Sequence, residues 1–130
     1  MMGINNDERM FVFEDLLVWQ KSIDFAEAVI KTIDQFEAPR KHFRIIEQLE
    51  AASISVSSNI AEGKGRFSKK EFIRYLYIAR GSLFETISLL ILICRLQWIE
   101  RKTLNELKSI GEEITKMLNS LIKSIKSNKI

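Results

Sequence analysis

The last third of the chain carries the pattern that most restricts its fold. Leu104, Leu107, Gly111, Ile114, Leu118, Leu121 and Ile125 follow one another in alternating steps of three and four. Only an α-helix brings such positions onto one line, and a seam of this length needs a second helix to cover it. A half-buried strand would instead alternate every second residue, and no segment competes with that pattern. Proline occurs once and glycine five times in 130 residues, so little interrupts long helices.

The earlier segments repeat the arrangement. Residues 1–12 read as a loose tail. A first helix is predicted over 13–36, where Glu14 and Asp15 oppose the positive end of the helix dipole. Its seam is Leu16, Trp19, Ile23, Ala26, Ile30 and Ile33, widened by Leu17, Val18, Phe25 and Val29. Pro39 marks a break, because proline disfavours helical geometry in the residue before it. A second helix follows over 40–62, with Ile46, Leu49, Ser53, Val56, Ile60 and Gly63 as its seam. Small residues surround that seam, and they permit close approach by a neighbouring helix. The hydroxyls of Ser53, Ser55, Ser57 and Ser58 are candidates for packing or for bonds to the backbone.

A third helix is predicted over 68–96, opened by Ser68 with Glu71 as a capping box. Phe72, Leu76, Ala79, Leu83, Thr86, Leu90 and Ile93 form its seam. The fourth runs over 103–125, with Thr103 and Glu106 as a second capping box. Short connections between four amphipathic helices imply an all-α, antiparallel up-down-up-down bundle, one domain over 13–126. The third helix is apolar almost all round from Thr86 onward, so it calls for cover beyond one bundle, and self-association is the expectation.

Composition narrows the setting. The start of the chain lacks the basic and apolar regions of a signal peptide. The most apolar run, Thr86 to Cys94, is far short of the roughly 20 residues that cross a bilayer. Cys94 is the lone cysteine, expected as a buried thiol without an intramolecular disulfide. The cytoplasm is the default compartment, and no membrane partner is expected. Net charge is +3, but residues 1–37 hold eight acids and three bases. Everything after them carries the excess of positive charge, which fits an anionic partner or association between unlike faces.

The polar groups that look placed rather than scattered lie around Ser58–Ser68. Asn59 and Glu62 share a helix face at a spacing of three, as do Ser82 and Glu85 on the third helix. These four are expected to form a buried polar network that fixes register, with Arg80 or Arg74 as its cation. Gly63 and Gly65 are expected to end the second helix through left-handed backbone. Lys64, Arg66, Lys69, Lys70 and Arg74 then make a candidate phosphate-binding surface: residues 64–80 hold six bases and one acid.

Catalytic chemistries find little support. A di-metal bundle site needs Glu-x-x-His pairs, and the sole histidine, His42, stands in none. His42 is far in sequence from Cys94, which argues against a cysteine nucleophile. Lys64-Gly65-Arg66 lacks the spacing and the preceding strand of a phosphate loop. No cofactor, metal or enzymatic activity is expected.

Phe13-Glu14-Asp15-Leu16, Val18-Trp19-Gln20-Lys21, Gln48-Leu49, Ser58-Asn59-Ile60-Ala61-Glu62-Gly63, Glu71-Phe72 and Gly81-Ser82-Leu83 together resemble the bacterial 23S ribosomal RNA intervening-sequence proteins. The resemblance spans about residues 13–97. It implies a left-handed four-helix bundle that assembles as a ring, a homopentamer. It also implies kinship with accessory proteins of diversity-generating retroelements, basic pentamers that bind nucleic acid and a reverse transcriptase. One departure is plain. Where that family usually carries two arginines after Gln-Leu, this chain has Glu50 and Ala51. That removes positive charge from one face of the second helix.

Overall fold

A computed structural model describes residues 11–36 and 42–127. A short 3-10 helix, Val12–Asp15, precedes four α-helices: α1 Leu17–Ile33, α2 Phe43–Lys64, α3 Lys69–Arg95 and α4 Arg101–Ser127. No strand occurs among the described residues. The expected tail at residues 1–10, the break at Pro39 and the first residues of the second helix lie outside the described residues.

The first predicted helix is divided. Leu16 is extended, with ψ 118°, between the 3-10 turn and α1. The side chain of Gln20 donates to the Glu14 carbonyl at 2.7 Å, and the Phe11 amide donates to the Glu14 carboxylate at 3.1 Å. These bonds satisfy backbone groups that a continuous helix would have used itself. Glu14 therefore tethers a turn ahead of the helix.

Around α1 the buried face is rotated one position from the expected seam. Val18, Ser22, Phe25, Ala26 and Val29 are buried, while Ile23 is exposed. A hydrophobic pattern does not show this face because it counts Ser22 as polar. Its hydroxyl donates to the Val18 carbonyl at 2.7 Å, so the residue enters the core with its polar group satisfied. The other seams hold more closely. In α3, Leu76, Ala79, Leu83, Thr86, Leu90 and Ile93 are buried, and Phe72 is half-buried. In α4 the seam ends on Ile122, with Leu121 and Ile125 half-buried beside it. Each fully buried Leu, Ile, Val or Phe contributes about 1.5–3 kcal/mol relative to leaving it in water.

Helix ends differ from expectation in three places. Gly63 lies inside α2, which continues to Lys64, and no described glycine has positive φ. Gly63 is needed for proximity instead: a Cβ there would lie 2.6 Å from the Tyr75 Cβ of α3. The left-handed residue is Gln97, φ 66°, just after α3. Helix α4 starts at Arg101, before Thr103, with the Glu100 carbonyl accepting from the Leu104 amide at 3.1 Å. Ser68 does cap α3, its hydroxyl accepting from the Glu71 amide at 3.0 Å, but the Glu71 carboxylate turns to Arg74.

Helix α2 packs most extensively on α3; α1 contacts α2 and α4, and α4 contacts α3. Along the α2–α3 seam Gly63 meets Phe72 and Tyr75, Ser55 meets Ser82, and Gln48 meets Glu85. Trp98, in the α3–α4 connection, is buried, with ring centroids of Phe36 and His42 at 6.2 and 5.1 Å. The expected buried thiol of Cys94 is half-buried at the edge of this core.

By length and composition α3 alone among the described helices is apolar enough to cross a membrane, with a mean hydropathy of 1.6 over its best window. Only a third of that window is buried inside the chain, 33%. The rest includes residues half-buried against the core, such as Ile87 and Leu89, and an outward face with Phe84, Ile91 and Leu92, which are 53, 39 and 43% exposed. Gly81 and Ser88 lie on the same face and are exposed.

Candidate nucleic-acid interface

The α2–α3 junction gathers the basic residues expected there, but it does not leave them all uncommitted. Arg66 donates to Glu62 at 3.1 Å and to the Tyr75 hydroxyl at 2.6 Å. Arg74 donates to Glu71 at 3.1 Å, and this bond, with the carboxylate charge, raises its pKa above the ordinary arginine value. Both guanidiniums lie over the Tyr75 ring, 4.9 and 4.8 Å from its centroid. Lys64 lies over the Phe72 ring at 5.6 Å. Lys69 and Lys70 are exposed in the first turn of α3.

The cause is local sequence. Glu62 stands four residues before Arg66, and Glu71 three before Arg74, which are the spacings that meet on a helix face. Both ion pairs are exposed, and exposed pairs are worth only about 0–1 kcal/mol.

The four-residue polar network does not assemble as expected. Asn59 and Ser82 do converge, through Ser55: Asn59 Nδ2 donates to the Ser55 carbonyl and hydroxyl, each at 2.8 Å, and the Ser55 and Ser82 hydroxyls are 2.8 Å apart. Thr86 extends the ladder by donating to the Ser82 carbonyl at 2.8 Å. Glu62 and Glu85 are exposed and lie outside it. Glu62 takes Arg66, and Glu85 accepts from Gln48 at 3.1 Å. Carboxylates avoid burial when water and surface partners are within reach. Ser55 was missed as the hub. Its position four residues before Asn59 was the available signal.

Arg80, expected as a cation for that network, lies on the opposite side of α3 from Ser82. It donates to Asn119 on α4 at 2.8 Å and covers the Tyr77 ring at 4.8 Å. Lys126 donates to the Tyr77 hydroxyl at 2.8 Å, which lowers that phenol's pKa below the usual tyrosine value. Among the described residues no group of three or more His, Cys, Asp or Glu is placed to hold a metal ion.

An apolar groove of about 560 Å³ runs between α3 and α4, lined by Phe84, Ile87, Ser88, Ile91, Gly111 and Thr115 and rimmed by Lys108, Glu112 and Lys116. A family profile described as 23S rRNA-intervening sequence protein matches residues 14–120. The chain belongs to that family. The match to the 23S rRNA-intervening sequence proteins spans α1, α2, the whole α2–α3 junction, α3 and α4 as far as residue 120. A solved structure from Bacteroides thetaiotaomicron VPI-5482, described as a protein with unknown function from the S23 ribosomal protein family, is 30% identical to this chain. It superimposes with a TM-score of 0.76, covering 82% of this chain and 99% of that one. No curated protein matches the sequence.

Proposed function

We propose that this family member is a non-catalytic, self-associating protein that holds an RNA or DNA backbone on the surface formed by Lys64, Arg66, Lys69, Lys70 and Arg74. The observation that carries the reading is the one-sided charge of residues 64–74, five bases to one acid, at a single junction. The arrangement suits phosphates rather than bases, since no base-reading element is apparent. The description of the family, 23S rRNA-intervening sequence protein, is in keeping with a nucleic-acid ligand.

The outward apolar face of α3 supports assembly, and the resemblance noted in the sequence makes a homopentameric ring the form expected. Repetition around a ring multiplies a modest basic patch by avidity. The order of contacts between helices supports an up-down-up-down bundle, and left-handed packing is the usual geometry for such bundles. A cytoplasmic setting belongs to the same proposal.

Fluorescence anisotropy with a single-stranded RNA at two salt concentrations tests the reading. Affinity should fall steeply with salt. Reversing the charges of Arg66, Lys69, Lys70 and Arg74 together should abolish binding without unfolding the protein. Undiminished binding in that variant rejects the surface.

The α3–α4 groove favours a second reading, a ring that adapts to a protein partner such as a reverse transcriptase. An apolar floor with a mixed-charge rim suits a protein better than a nucleic acid. A partner that stays bound after nuclease treatment would favour this reading over the first.

A further inference from the structure

We propose that Tyr77, Arg80, Asn119, Lys123 and Lys126 form a second site, specific for a phosphate group, between α3 and the last turns of α4. A hollow of about 480 Å³ opens there, and these side chains line it. It lies on the α4 side of α3, away from the Glu62–Arg66 and Glu71–Arg74 pairs of the α2–α3 junction, and most of its residues belong to α4.

Charge is the first argument. Arg80, Lys123 and Lys126 form no salt bridge among the described residues, in contrast to Arg66 and Arg74. The reason is in the sequence: no acid stands three or four residues from any of the three. Two of these cations nevertheless converge on one ring. Arg80 is 4.8 Å and Lys126 is 5.3 Å from the Tyr77 centroid. Like charges held together in this way are relieved by an anion placed between them. The C-terminus of α4 offers about half a negative charge in opposition, too little to balance three cations.

Hydrogen-bond inventory is the second argument. Asn119 Oδ1 already accepts from Arg80, so the amide's remaining capacity toward the hollow is its Nδ2 donor. The Tyr77 oxygen already accepts from Lys126, which leaves its own O–H to donate. Arg80 has further N–H groups, and both lysines have N–H groups to spare. The lining thus offers donors from five side chains. A ligand that only accepts, carries more than one charge and has three or more oxygens matches it, and a phosphate does so better than a two-oxygen carboxylate.

The phosphate can come from a polynucleotide backbone or from a free phosphate monoester. The first source rests on the nucleic-acid reading above; the site itself does not. Two arms separate them: calorimetry with inorganic phosphate, and anisotropy with a single-stranded RNA of about 12 nucleotides, each on the intact protein. The test variant is Lys123→Gln with Lys126→Gln, both exposed positions, checked for an unchanged melting curve.

If the backbone is the source, RNA affinity falls at least about tenfold, and the log–log salt slope falls by roughly 1.4 for two lost contacts at about 0.7 each. Tyr77→Phe then weakens RNA binding severalfold with no change in slope, because it removes a neutral donor. If a free phosphate is the source, the variant loses inorganic phosphate binding while RNA binding stays intact. A variant that matches the parent in both arms overturns the site. Should that result accompany abolished RNA binding in the junction charge-reversal variant, the junction reading survives and this inference alone fails.

Discussion

Alanine placed at three helical glycines should move stability in three directions, because each added Cβ meets a different surface. At Gly63 the new carbon would sit 2.6 Å from the Tyr75 Cβ and 3.1 Å from the Phe72 Cδ1. Carbon atoms rest at about 3.5–4.0 Å, so the first contact is short by about 1 Å. Tyr75 Cβ is fixed to the α3 backbone, so no side-chain rotation relieves the clash, and α2 and α3 must part. Overpacking of this kind costs about 1–3 kcal/mol, while alanine's helix propensity returns about 1 kcal/mol. Gly63→Ala should therefore lose up to about 2 kcal/mol net. For a domain of this size that lowers Tm by up to roughly 10 °C. At Gly81 an added Cβ meets nothing within 4 Å, so Gly81→Ala should gain up to about 1 kcal/mol. At Gly111 it would meet the Ile87 Cδ1 at 3.0 Å, the far end of a flexible side chain that can swing away, and the two effects should nearly cancel. Thermal melts by circular dichroism at one fixed protein concentration give the ranking, since assembly couples to stability. Gly63→Ala melting at or above Gly81→Ala would refute the close-approach argument.

Other expectations follow from the same contacts. Ser68→Ala removes the hydroxyl that accepts from Glu71 and should cost about 1 kcal/mol, measured by urea unfolding. Gln97→Gly relieves a left-handed residue after α3 and should stabilise by up to about 1 kcal/mol in the same assay. Ile91→Glu, on the outward face of α3, should lower the solution mass seen by light scattering while leaving helix content unchanged. Because the ammonium of Lys126 favours the Tyr77 phenolate, Lys126→Gln should move a tyrosine ionisation step at 295 nm to higher pH, and Tyr77→Phe should remove that step.

The number and approximate extent of the helices were legible because hydrophobic period and sparse glycine and proline act locally. What required three dimensions was local as well, but polar. Ser22 reads as a surface residue until its bond to the Val18 carbonyl is seen, and that bond lets it enter the buried face with Val18, Phe25 and Val29. Gly63 reads as a terminator because glycine tolerates left-handed backbone, yet its role depends on Tyr75, twelve residues away in sequence. At the candidate interface the five basic residues were evident from charge density. Their pairing with Glu62 and Glu71 was implicit in spacings of four and three. Arg80, Lys123 and Lys126 could not be grouped from sequence, since about forty residues separate Arg80 from the two lysines and only the packing of α3 on α4 unites them.

The two tryptophans give this bundle a built-in pair of optical reporters. Trp19 lies in the first turn of α1, its ring centroid 5.0 Å from that of Phe13, whereas Trp98 packs on Phe36 beyond the last turn. About 21 Å of helix, from Trp19 to Ile33 at 1.5 Å per residue, lies between the two ends. Emission from single-tryptophan versions will show whether the two extremities melt as one unit or whether one loosens first while the other still glows.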